Sequence, residues 1–169
     1  GRLAKEYPDA GITLKYLNPL ELLVATILSA QCTDKIVNRV TASLFTKYHT
    51  VVDYANADLE EFEQEIRSTG FYHNKARNII NAARLMLTDF DAQVPKTMAE
   101  LVILPGVARK TANIVLYNGY GVTCGIAVDT HVRRLSRRLD LSQSSDPKRI
   151  EQDLMKQVPK AKWGHFSCL

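Results

Sequence analysis

Two side chains in this sequence have the type and placement for covalent chemistry: Lys110, just after a Pro105-Gly106 break, and Asp129, just before a run that reads as a helix. A lysine amine can attack an electrophilic carbon and form a Schiff base. A carboxylate nearby can support developing positive charge and help move a proton. An amine attacks only when uncharged, and an ordinary lysine is almost wholly protonated at neutral pH. Because a close carboxylate favours the charged form, Asp129 is expected to face the reacting centre rather than pair tightly with Lys110. Each residue also has a plain structural reading. Lys110 can be a solvated first-turn lysine, and Asp129 an N-cap worth about 1 kcal/mol; one carboxylate can fill both roles.

The segment Leu104-Pro105-Gly106-Val107-Ala108-Arg109-Lys110-Thr111-Ala112 joins a short predicted helix to a longer one through a tight turn. Backbone N–H groups at such a turn have no partner within the helix and can point at a phosphate. Arg109 and Lys110 put cations at a helix N-terminus, which is locally unfavourable by a few tenths to about 1 kcal/mol. An outside anion explains them; the alternative is an ordinary helix-turn-helix connection. Further on, Arg133, Arg134, Arg137 and Arg138 recur at helical spacing, whereas Asp53 to Glu65 is acidic with no base among its residues. The 22 Lys and Arg against 18 Asp and Glu leave a net charge of +4 and a pI near 9.0. That balance mildly favours polyanionic partners, although either charged run also fits a solvated helix face.

The elements that must position these groups read as helices. Asn18, Pro19 and Glu21 form a helix start, with a cap, a first-position proline and an N3 acid. The helix they open is apolar almost all round and belongs at the centre of a lobe. Thr33 is placed to cap a second helix, and Asn56 a third that carries Leu59, Phe62 and Ile66 and stops at Gly70. A long amphipathic segment spans about Asn74 to Leu87. Thr97 and Glu100 form a capping box for a short helix ending near Leu104, and another helix runs from about Arg109 to Asn118. Val122 to Val128 has strand character but no partner strand, so it reads as an extended linker. Asp129 then caps a helix through Leu139, and Ser145 or Asp146 with Pro147 opens one that Pro159 closes. The fold class is all-α. We expect two helical lobes, residues 13–125 and residues 1–12 plus 126–169, with a cleft between them.

At 169 residues, 46% hydrophobic and 24% charged, the composition is that of an ordinary globular domain and excludes disordered and collagen-like classes. The longest apolar stretch, Leu20 to Ala30, is far shorter than the roughly 20 residues that cross a bilayer, so no membrane association is expected. Nothing resembles a secretory leader, and Cys32, Cys124 and Cys168 make neither a disulfide framework nor a zinc pattern. An intracellular setting is expected, the cytoplasm or nucleoid if the source is bacterial.

Leu104 to Asn113 and the downstream Val128-Asp129-Thr130-His131 resemble the helix-hairpin-helix DNA glycosylase family, its endonuclease III members above all. Supporting blocks are Leu28 to Asp34 (L-S-A-Q-C-T-D), Gly70 to Ala76 (G-F-Y-H-N-K-A) and Ala127 to Arg134 (A-V-D-T-H-V-R-R). They occur in the same order and cover nearly the whole chain. The resemblance implies a helix-hairpin-helix motif beside a DNA-binding cleft, in a monomeric enzyme of base excision repair. It would act on double-stranded DNA carrying damaged bases or abasic sites. Lys110 would be the nucleophile of a combined glycosylase and abasic-site lyase for oxidised pyrimidines, with Asp129 its carboxylate. Gln31 and Phe71 would fill the space left by a flipped nucleotide, Phe71 beside the orphaned base. The hairpin residues Leu104, Gly106, Ala108, Arg109 and Thr111, together with His131 and Arg133, would contact DNA. Plainer readings stand beside these: core packing for Phe71, a polar helix-end residue for Gln31, and a surface histidine for His131. Two other functions remain open, a glycosylase for mismatched or alkylated bases and a DNA-binding module without catalysis.

The sequence departs from that family in three places. Ala108 stands where the hairpin usually has a second glycine, and a left-handed backbone there would cost alanine about 1–2 kcal/mol. One extra residue lies between Gly121 and the Asp129 block. The four-cysteine loop of a [4Fe–4S] cluster is missing, since the chain ends at Leu169. We therefore expect no cofactor on this chain, and a cluster only in a protein that extends past Leu169, the apolar ending after Phe166 favouring truncation.

Overall fold

A computed structural model describes residues 11–166, which form ten α-helices and two short 3-10 turns and contain no strand. Helix α1 (Pro19–Leu28) starts as its sequence dictates. The Asn18 side chain accepts the Glu21 N–H at 2.9 Å, while the Glu21 carboxylate accepts the Leu17 N–H at 2.6 Å. Every residue from Leu22 to Leu28 is buried, so α1 forms the centre of the core. Helix α2 (Asp34–Leu44) follows Thr33, whose hydroxyl makes no cap bond.

The next stretch differs from expectation. A short helix α3 (Val51–Ala55) is opened by a capping box between Thr50 and Asp53. Asn56 closes that helix, its N–H donating to Val52 O, so it does not start the next. Asp58 caps α4 (Leu59–Ile66) instead, accepting the Glu61 N–H at 2.9 Å. A 3-10 turn (Arg67–Thr69) leads to the long α5 (Tyr72–Asp89). Thr97 caps α6 (Met98–Leu101), which stops three residues short of Leu104. Then come α7 (Arg109–Tyr120), α8 (Thr130–Arg138) and α9 (Pro147–Gln157), the last two capped by Asp129 and Asp146. A second 3-10 turn (Lys160–Lys162) runs into α10 (Trp163–Phe166).

Apolar burial, at about 1.5–3 kcal/mol for each large side chain, gathers in two clusters. The first takes residues from α1 to α7 and includes a stacked and edge-on trio of Tyr48, Tyr54 and Phe62. The second is smaller, with Ile126, Val128, Ile150 and Leu154 at its centre and Trp163 and Phe166 against it. Residues 121–128 cross between them without regular secondary structure, and the burial of Ile126 to Val128 accounts for their strand-like composition. Residues 1–10 and 167–169, with Cys168, lie outside the described residues; Ile12 packs against the first cluster. No described helix is long and apolar enough to cross a membrane.

The hairpin between α6 and α7 depends on one glycine. Gly106 has φ +79°, and a Cβ there would lie 2.9 Å from the Asn78 Cβ. Ala108 has φ −83°, in the extended region, so the cost anticipated for alanine does not arise. Gly106→Ala should therefore lower the free energy of urea unfolding by at least about 1–2 kcal/mol. Ala108→Gly should change it by less than about 0.5 kcal/mol, a slightly better cap offsetting a more flexible unfolded chain.

Candidate active site

Lys110 lies in the first turn of α7, and Asp129 caps α8. Their side chains meet where the two packed clusters adjoin. Lys110 Nζ stands 3.6 Å from Asp129 Oδ2, beyond the usual 2.7–3.2 Å of an N–H···O bond. The two charges thus face each other without the hydrogen bond of a tight ion pair. Asp129 divides its oxygens: Oδ1 accepts the N–H groups of His131 and Val132 at 2.9 and 2.8 Å, which leaves Oδ2 for the lysine. One carboxylate caps a helix and faces an amine. The pair borders two cavities. One, of about 430 Å³, is also lined by Ser29, Gln31, Thr111 and Arg133; the other, of about 230 Å³, by Thr13, Asp34, Asn113 and Tyr117.

Arg109 has an acid partner within the protein. Its Nε donates to Glu151 Oε2 of α9, a carboxylate only 3% exposed, whose Oε1 accepts from Asn113 Nδ2 at 2.9 Å. Gly125 makes room for this contact, since a Cβ there would fall 1.9 Å from Glu151 Oε1. The charge of Arg109 is thus accounted for inside the protein, although its side chain remains 42% exposed. Sequence reasoning missed Glu151, Asn113 and Gly125. The available signal was an acid between Ile150 and Leu154, on the apolar face of its helix, where an unpaired carboxylate would be costly.

The other predicted residues divide clearly. Gln31 is exposed with φ +53° and lines the same cavity as Lys110, Thr111 and Arg133. Phe71 is 64% exposed with φ +49°, so it is not a core residue. The Leu104 side chain is buried in the first cluster, which leaves its backbone at the turn for any contact. Gly106 and Ala108 are exposed on the turn, and Ala108 offers the first-turn N–H groups of α7 no side-chain cap. His131 and Arg133 border a basic hollow of about 680 Å³ with Arg134, Arg137 and Arg138. Among the described residues no three His, Cys, Asp or Glu side chains converge as a metal site, and Cys32 and Cys124 are free thiols.

Comparison with known proteins places this geometry among relatives. Residues 24–160 match the HhH-GPD superfamily of base excision DNA repair proteins. Over 165 residues the chain is 54% identical to an endonuclease III of Synechocystis sp., covering 98% of this chain and 75% of that protein. Over 163 residues it is 47% identical to an endonuclease III of Bacillus subtilis, covering 96% and 74%. A solved structure of a trapped endonuclease III–DNA covalent intermediate, an estranged-adenine complex, superimposes with a TM-score of 0.95 at 48% identity. That match covers 99% of this chain and 78% of the other.

Loss of the buried carboxylate leaves the Asn113 amide and the Arg109 guanidinium without their acceptor. Glu151→Ala should therefore cost about 2–3 kcal/mol, read as a fall in Tm of roughly 5–10 °C. Glu151→Gln, which keeps one acceptor oxygen, should lose less.

Proposed function

Because the chain belongs to the HhH-GPD superfamily of base excision DNA repair proteins, we propose that it is a bifunctional DNA glycosylase and abasic-site lyase. Its substrates are oxidised pyrimidines in double-stranded DNA. The observation that carries this reading is the amine of Lys110 facing the Asp129 carboxylate at 3.6 Å, beside a cavity open to Gln31 and Arg133.

The chemistry follows from those two groups. With a nucleotide turned out of the stack, uncharged Lys110 Nζ attacks the anomeric carbon, and the base departs with the electron pair of the glycosidic bond. Asp129 Oδ2 stabilises the positive charge that develops on the sugar and assists transfer of the proton lost from nitrogen. Ring opening gives an imine that acidifies the neighbouring sugar hydrogen. Loss of that proton expels the 3′ phosphate by β-elimination, and water then releases the lysine. Gln31 and Phe71 occupy the space vacated in the duplex and recover part of the unstacking cost. Gly106, Ala108 and Thr111 present backbone amides to a phosphate, and His131 and Arg133 extend the contact along the strand. The Leu104 side chain packs the turn from within, and Arg109 holds α7 to Glu151.

The protein acts as an intracellular monomer. A [4Fe–4S] cluster needs four thiolates, and the three cysteines of this sequence do not supply them. The reaction above uses only this chain's amine and carboxylate.

Borohydride reduction in the presence of abasic-site duplex tests the proposal. The wild-type chain should give a covalent adduct that Lys110→Gln abolishes. Asp129→Asn should slow adduct formation at least about 100-fold, with Tm kept within about 2 °C, because asparagine caps a helix as well as aspartate. DNA binding without any adduct would identify a non-catalytic module. An excision panel of oxidised, mismatched and alkylated bases reads the substrate class.

A further inference from the structure

We propose that Lys75 is a positioning residue for strand opening, its buried ammonium fixing at once the two turns that carry Gln31 and Phe71. The inference rests on the reading above, in which those two side chains fill the space left by the flipped nucleotide.

Lys75 lies in α5 and is only 5% exposed. Its Nζ donates to Leu28 O and to Thr69 O, each at 2.8 Å. Leu28 ends α1, three residues before Gln31, and Thr69 ends the 3-10 turn, two residues before Phe71. Among the described residues, Lys75 is the side chain whose hydrogen bonds join both turns. Carbonyls at helix ends lack amide partners and carry partial negative charge, which suits a cation. Among the described residues no carboxylate shares in the contact.

The arrangement has a cost that packing alone would not require. Burial lowers the pKa of Lys75 from the ordinary lysine value, with the nearby Cys32 acting in the opposite direction. A methionine would fill the same volume without desolvating a charge. What the ammonium adds is a joint anchor for two chain reversals. Each reversal carries a non-glycine residue in left-handed backbone, φ +53° at Gln31 and +49° at Phe71, and such conformations persist only where the surroundings hold them. With the anchor in place, both side chains stand exposed in fixed positions before DNA arrives. Less ordering is then left to the binding step.

The test compares borohydride trapping on two duplexes. One has an abasic site opposite guanine; in the other it stands opposite a tetrahydrofuran residue, so that no base is orphaned. In Lys75→Met, at a temperature well below its Tm, trapping should slow about tenfold or more on the first duplex and by less than about threefold on the second. The joint variant Gln31→Ala/Phe71→Ala should show a similar loss of preference. Adding Lys75→Met to it should change the ratio by less than about twofold, as coupled residues do. Equal loss on both duplexes, or none on either, overturns the proposal. If Lys75→Met does not fold, Lys75→Gln, which keeps an amide donor for one carbonyl, is read by the same ratio. Failure of the wild-type chain to trap either duplex would instead overturn the functional reading.

Discussion

A buried carboxylate helps to hold the Lys110–Asp129 geometry together. Lys110, in α7, and Asp129, at the cap of α8, lie on either side of a division between two hydrophobic clusters, joined by residues 121–128. Their 3.6 Å separation persists only if those bodies keep one relative position. Glu151 supplies that constraint: from α9 it binds Arg109, which precedes the lysine, and Asn113, one turn later. The first turn of α7 is thereby held on both sides of Lys110. Gly125, on the connecting segment itself, leaves the space that the carboxylate occupies. An isolated buried carboxylate would be strongly unfavourable, so the contact is stable only while both partners remain in place.

On the side proposed to meet DNA, two exposed side chains project from left-handed backbone. Gln31 and Phe71 both adopt left-handed backbone, as Gly106 does in the hairpin, but only Gly106 has the residue type that tolerates it freely. Among the described residues five non-glycines have positive φ, and of these Gln31 and Phe71 carry the exposed side chains of the proposed site. Asp129 solves a related problem more economically, since one oxygen caps α8 and the other stays directed at the amine. The cap also orients α8, whose His131 and four arginines surround a basic hollow.

What could be read from the sequence was what local chemistry decides. Asn18-Pro19-Glu21, Thr97 with Glu100, Asp129, and Asp146 with Pro147 each start the helix they were expected to start, because caps act within three or four residues. The all-α class followed from these caps and from helical periodicity, and Lys110 and Asp129 stood out by type and by resemblance. The errors arose where two local signals competed or where the partner was distant. Thr50 and Asp53 open a five-residue helix too short to show periodicity, and this turned Asn56 from a start into an end. The acid partner of Arg109 was not legible because Glu151 is distant in sequence and joins it only through the tertiary fold. Ala108 looked strained because a family pattern with glycine there suggested a left-handed backbone, whereas its φ is ordinary.

The proposed chemistry requires one atom, Lys110 Nζ, as the nucleophile beside Asp129. Peptide mapping by tandem mass spectrometry of the borohydride-reduced protein–DNA adduct locates that atom without mutation. The predicted result is a deoxyribose remnant on Lys110 and on no other amine. A remnant on a different lysine or on the chain's terminal amine, with Lys110 unmodified, would contradict it.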